Sequence, residues 1–125
     1  MRIVVKTMTE DFGNPSAMHM VGVKAEKYIK EAQENIAKIL KVDPKEIFFT
    51  SGGTESNNMA IIGTAMANKR KGNRIITTSV EHSSVLATMK YLEEQGFEVI
   101  YLPVDRYGVV QMEALEKEMT EDTIL

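Results

Sequence analysis

An α/β fold on a mostly parallel sheet is what this sequence predicts, and three observations carry it. Three short β-rich runs, Ile47 to Thr50, Arg74 to Thr78 and Glu98 to Leu102, are separated by segments of helical period. Strand and helix therefore alternate at roughly two dozen residues per unit, the spacing of right-handed βαβ crossovers. Gly72 and Gly96 stand where the two intervening helices should stop.

In chain order, residues 1–23 read as an N-terminal loop segment ahead of a βαβ core at 24–125. The apolar run Ile3-Val4-Val5 is too brief for a signal peptide or a membrane span. From Lys24, the residues Ala25, Tyr28, Ile29, Ala32, Ile36, Ile39 and Leu40 mark one helix face, and Asp43-Pro44 ends it. Ile47 to Thr50 is expected as a buried strand. Thr54 to about Arg70 should be a helix with Met59, Ile62 and Met66 inward, closed by Gly72 in the left-handed region. The strand at Arg74 to Thr78 leads to a helix at Ser84 to Glu94, with Val85, Met89 and Leu92 inward and Gly96 at its end. After the strand at Glu98 to Leu102 come the turn Asp105-Arg106-Tyr107-Gly108 and a helix at about Gln111 to Met119. Thr120 to Thr123 is a polar turn, and Ile124-Leu125 begins a further strand. A sheet broken there would have an open edge, so the chain is expected to be a partial domain, incomplete at both ends.

Composition narrows the function. The 125 residues carry a net charge of −3, so no basic field favours nucleic acid or an anionic membrane as partner. Lys69-Arg70-Lys71 fits a helix C-terminus, where cations oppose the dipole. The absence of Cys removes disulfides and thiolate metal sites from the chain, and no metal site is expected. A cytoplasmic location follows from the lack of any visible signal. The nine Met residues, mostly at helical apolar spacing, read as core filler.

Three segments could carry chemistry. In Ser51-Gly52-Gly53-Thr54-Glu55-Ser56-Asn57-Asn58, a strand passes through a glycine turn into a helix. Free amides and the helix dipole at such a junction make a seat for an anion, usually a phosphate. Gly52 and Gly53 permit positive φ and close approach, and Thr54 adds a hydroxyl. A plain turn with Thr54 as helix N-cap fits the same residues. The run lacks both GxGxxG and the Gly-Lys-Ser/Thr of a P-loop. The second segment is Glu81-His82, at the C-terminal end of a strand, where α/β sheets collect ligands, and ahead of a helix that Ser83 or Ser84 could cap. His82 there suits ring stacking or proton transfer, or simply a structural hydrogen bond. The third, Phe12 to His19, contains the turn-forming Asn14-Pro15-Ser16; it either lines a pocket or is only a turn, and His19 has no evident partner.

FGNPSAMH at 12–19, FTSGGTESNN at 49–58 and EHSSV at 81–85, in that order, resemble the N-terminal part of cysteine desulfurases of the NifS/IscS type. The similarity extends through the flanking stretches Gly96-Phe97-Glu98-Val99 and Glu121 to Leu125. It implies a three-layer α/β/α architecture, part of the large domain of a fold-type-I pyridoxal-phosphate enzyme working as a homodimer. It also implies that Gly53 and Thr54 bind the cofactor phosphate, and that His82 stacks on its ring and moves protons. The substrate would be L-cysteine, converted to alanine with its sulfur left as an enzyme persulfide for a sulfur-acceptor scaffold protein in iron–sulfur cluster assembly. Three family features have no match here: the lysine that holds the cofactor's aldehyde, the acidic partner of the pyridine nitrogen, and the nucleophilic cysteine. They would follow Leu125, so the isolated chain is expected to hold the cofactor's phosphate without turning over. Two alternatives stay open: an inactive truncated paralogue acting as a binding module, and a related class-V aminotransferase or selenocysteine lyase.

Overall fold

Residues 2–125 are described in the computed structural model, and they divide into two compact units, 2–49 and 50–125. In the first, the expected loop at 1–23 contains a helix, α1 (Arg2–Thr9), although Ile3, Val4 and Val5 are β-branched. The hydroxyls of Thr7 and Thr9 donate to carbonyls of the preceding turn at 2.8–3.1 Å, so these polar groups find partners within the helix. The second helix, α2 (Met20–Leu40), begins ahead of Lys24 because His19 caps it, Nδ1 accepting from Gly22 N at 3.4 Å. Between the two helices the Asn14-Pro15-Ser16 turn forms as expected, with Asn14 Oδ1 accepting from Ser16 N at 2.9 Å. Tyr28 of α2 donates to Asp11 at 2.7 Å and Lys6 of α1 lies 3.4 Å from the same carboxylate. These contacts hold the Asp11 carboxyl below its usual range, the tyrosine hydrogen bond first.

Past a 3-10 turn at Pro44–Glu46, closed by an Asp43/Glu46 capping box, the expected strand at Ile47 to Thr50 does not form. The backbone is extended there, but among the described residues no ladder pairs it, and Phe48 and Phe49 are 69% and 54% exposed. Alternating apolar residues give a segment strand character; a strand also needs a neighbour.

The second unit realises the βαβ pattern. Helix α3 (Gly53–Asn68), strand β1 (Arg74–Thr78), helix α4 (Ser83–Glu94), strand β2 (Glu98–Leu102) and helix α5 (Met112–Glu118) follow in order. Strands β1 and β2 pair in parallel with Arg74 opposite Glu98 and Thr78 opposite Leu102. On the other edge of β1, the last residues of the chain add parallel pairing: Arg74 N to Asp122 O, Ile124 N to Arg74 O and Ile76 N to Leu125 O, at 2.9–3.0 Å. The strand beginning read at Ile124-Leu125 is present.

Because side chains alternate along a strand, the sheet has two distinct faces. Ile75 packs with Ala65 of α3, Met89 and Leu92 of α4, and Phe97, with Val99 against them. Ile76, Thr78 and Leu102 turn the opposite way, toward Met112 and Leu115 of α5 and Met119 just after it, around a cleft of about 630 Å³. Helices on both faces make three layers.

Three packing expectations need correction. On α3, Met59 and Met66 are exposed, while Ala65, Ile61 and Ile62 face the core. Apolar residues lie on more than one face of this helix, so periodicity could not pick the buried stripe, and the small Ala65 marks the close approach. Among the described methionines only Met89 belongs to the core; Met8, Met18, Met20, Met112 and Met119 are well exposed. Gly72 does not adopt positive φ, unlike Gly96 and Gly108. It is required because a Cβ there would run into the Asp122 carbonyl that pairs with β1. Among the described residues no helix is long and apolar enough to cross a membrane.

Candidate functional site

The turn into α3 is built without a side-chain cap. Gly52 occupies the N-cap position in extended backbone, and helix hydrogen bonding starts with Ser56 N to Gly52 O at 3.1 Å. Among the described residues, the amides of Gly53, Thr54 and Glu55 and the Thr54 hydroxyl have no partner. Gly52, in extended backbone, and Gly53, in the helix, do not use the left-handed freedom that glycine permits, and Thr54 is the second helical residue, so Gly52 and not Thr54 is the N-cap. Their glycine identity has another reason. A Cβ at either position would meet nothing within 4 Å, so the protein itself does not need glycine there. What remains is open space over three free amides at the positive end of a helix dipole, where an added side chain would stand in the way of an anion.

Neighbouring polar groups turn away from this opening. Glu55 reaches back so that Ser51 N and Ser51 Oγ both donate to its Oε2 at 2.6 Å, and these bonds, the hydroxyl one first, keep its carboxyl below the usual range. The Thr50 and Ser56 hydroxyls pair at 2.6 Å. The glutamate charge is thus engaged by the loop, leaving the free amides to a ligand.

His82 lies just beyond β1 and is itself the N-cap of α4. Ser83 and Ser84 do not cap it: Nδ1 of His82 accepts from Ser84 N at 3.1 Å and lies 2.9 Å from Ser84 Oγ. The N-terminal halves of α3 and α4 are joined by side chains. Asn57 Nδ2 donates to Ser84 Oγ at 2.9 Å and Thr88 Oγ1 to Asn58 Oδ1 at 2.9 Å. The two sequence-predicted segments therefore belong to one locality, with Gly53 and Thr54 at the start of one helix and His82 at the start of the other. The phosphate group of pyridoxal 5'-phosphate suits this donor set, since it needs clustered neutral N–H and O–H donors and room to approach a backbone.

Sequence reasoning missed the four residues that bridge the helices. Thr54 with Asn57 and Asn58, three and four residues on, marks a polar stripe on one helix, and Ser84 with Thr88, four apart, marks one on the other. Two facing polar stripes beside an otherwise apolar packing contact were the available signal. His19, the other histidine, is placed in the first unit as the cap of α2.

Comparison with known proteins adds the following. The family model described as aminotransferase class-V matches residues 2–125. Cysteine desulfurase IscS 1 of Archaeoglobus fulgidus is 52% identical over 118 residues, which are 94% of this chain and 31% of that protein. A solved structure titled NifS-like protein aligns with a TM-score of 0.83 at 46% identity, covering 95% of this chain and 33% of that one. Another, titled SspA in complex with cysteine, aligns at 0.79 and 40% identity over 94% and 34%. The chain spans about a third of the length of the relatives it matches.

Proposed function

Because the chain belongs to the class-V aminotransferase family, we propose that it provides the phosphate-holding part of a pyridoxal-phosphate site in a cysteine desulfurase. The observation that carries the reading is the uncapped start of α3: three free amides and the Thr54 hydroxyl under open space at Gly52 and Gly53, with His82 in the same locality. Pyridoxal phosphate, when bound, supplies an electron sink for bonds at the α-carbon of an amino acid. The residues here do the rest of the proposed work. The amides of Gly53, Thr54 and Glu55 and the Thr54 hydroxyl hold the phosphate. His82 covers the ring, and its Nε2 gives and takes a proton.

The substrate proposed is L-cysteine, supported by the desulfurase names of the relatives and by the cysteine complex of the SspA structure. A second copy of the chain and a sulfur-accepting scaffold protein are the proposed partners, in the cytoplasm. No lysine of this chain is assigned to the cofactor's aldehyde and no cysteine is present, so the chain alone is proposed to be inactive.

The test is cysteine-dependent sulfide release from the 125-residue chain mixed with the remaining segment of a relative such as the Archaeoglobus protein. The pair should release sulfide and the chain alone none, and His82→Gln in the pair should lower turnover by ~10²-fold or more. A folded, cofactor-loaded pair that releases no sulfide from cysteine overturns the desulfurase reading.

A further inference from the structure

Asn57, Asn58, Ser84 and Thr88 hold no cofactor atom in the reading above, yet they form a continuous set of hydrogen bonds. Asn57 Nδ2 donates to Ser84 Oγ at 2.9 Å, and both Oγ and the backbone N–H of Ser84 face His82 Nδ1, at 2.9 and 3.1 Å. Thr88 Oγ1 shares its proton between Asn58 Oδ1 at 2.9 Å and Ser84 O at 2.7 Å, and Asn58 Nδ2 donates to Thr54 O at 2.8 Å. Ser84 and Thr88 are only 9% and 2% exposed, so water competes little for these partners.

The direction of each proton follows from what each group can do. A backbone N–H can only donate, so His82 Nδ1 accepts from Ser84 N, and the neutral ring carries its proton on Nε2. Nδ1 can then also receive the Ser84 hydroxyl proton. Having given its one proton, Ser84 Oγ accepts in turn, and Asn57 meets that need with its NH2. If the Asn57 amide were reversed, its Oδ1 would take the hydroxyl proton. His82 Nδ1 would then have to donate to Ser84 Oγ, with its N–H facing the Ser84 N–H, two donors head to head. The Asn58 amide is fixed by similar logic: Thr54 O only accepts, so Nδ2 must face it and Oδ1 must face Thr88.

We infer that Asn57 is a positioning residue that acts through the Ser84 hydroxyl to reinforce the His82 tautomer favoured by the Ser84 backbone N–H, with Nδ1 an acceptor and Nε2 the protonated nitrogen. This reinforcement comes from α3, the helix that carries the proposed anion seat, and is read on α4. With Nδ1 committed to the start of its own helix, the imidazole has one nitrogen left to exchange a proton. The use of this tautomer at the site rests on the proposed cofactor reading; the tautomer itself does not.

The experiment is a long-range 1H–15N spectrum of the histidine rings of the 125-residue chain, without cofactor, at an alkaline pH where imidazole is neutral. Wild type, Asn57→Ala and Asn57→Asp are compared. Wild-type His82 should be the Nε2–H tautomer. Asn57→Ala removes the donor to Ser84 Oγ but leaves Ser84 N at Nδ1, so Nε2–H should remain the main tautomer with a measurable Nδ1–H fraction beside it. Asn57→Asp keeps the shape but only accepts, so it should draw the Ser84 proton and shift His82 toward Nδ1–H. The His19 signals should stay in place. A His82 tautomer that is the same in all three proteins, or Nδ1–H in wild type, overturns the inference. Should Asn57→Ala fail to fold, the near-isosteric Asn57→Asp still decides it: adding Ser84→Ala to Asn57→Asp removes the hydroxyl route and should return His82 to Nε2–H, and an Asn57→Asp shift that survives the loss of Ser84 Oγ overturns the inference. With no cofactor in the sample, an error in the cofactor reading cannot change these spectra and would show only in a separate cofactor titration.

Discussion

At Gly52, the residue that precedes α3, stability and ligand binding are set against each other. A short acceptor side chain there would satisfy amides that the glycine leaves free, and the site has space for it. Gly52→Asp should therefore stabilise the chain by a few tenths of a kcal/mol. It should also weaken pyridoxal phosphate binding by about tenfold, the loss of one hydrogen bond to a charged group. Urea unfolding and cofactor titration on the same preparation check both, and a variant that gains stability while binding the cofactor unchanged would contradict the seat. Glu55 supplies a pH-dependent counterpart. Its carboxyl is held below its usual range by Ser51, so the bond contributes stability above the ordinary glutamate range and loses it as pH falls through that range and below. Glu55→Gln should consequently lower the urea midpoint at neutral pH, with the difference from wild type closing in acid. A difference that stays constant with pH would contradict it.

Elements of the second unit are joined tightly at one point on β1. Arg74 makes a two-pronged pair with Glu98 at 2.9 Å, donates to Glu118 O at 3.1 Å, and pairs through its backbone with the chain's last residues. Gly72 allows that approach, so Gly72→Ala should cost about 1–3 kcal/mol by forcing the Asp122 backbone away. Faster hydrogen exchange at Arg74 and Ile124, with α4 unaffected, is the expected signature; unchanged exchange there would contradict it. The same unit shows what the sequence could say. Strands β1 and β2 and helix α4 were legible because β-branched runs, a one-sided stripe and Gly96 agree with each other. The segment 47–50 has the same local character, but its state depends on a partner strand, which no local pattern encodes. Helix α1 was missed because its β-branched start hides a helix, and the α3 stripe because its apolar residues surround the axis. The placement of Gly53, Thr54 and His82 at two helix starts was legible from motif and order, and their roles are the proposed part. Asn57 and Ser84 were not legible, since their meaning lies in a contact between two helices far apart in sequence.

On the scale of the molecule, a chain about a third as long as the relatives it matches contains a folded βαβ unit in which side-chain hydrogen bonds join α3 and α4. Family membership and the α/β fold stand on the matches to the relatives, while the cofactor assignment stands on the free amides at the start of α3. That assignment is what most needs testing, and the 125-residue chain is sufficient for it. The most direct measurement is a backbone amide NMR titration with pyridoxal 5'-phosphate, using pyridoxal without the phosphate as comparison. The phosphate ester should shift Gly53, Thr54 and Glu55 together with the His82 ring, pyridoxal should not, and Thr54→Ala should weaken the response by about 1–2 kcal/mol. Shifts that avoid these residues, or that are the same for both compounds, would contradict the phosphate seat.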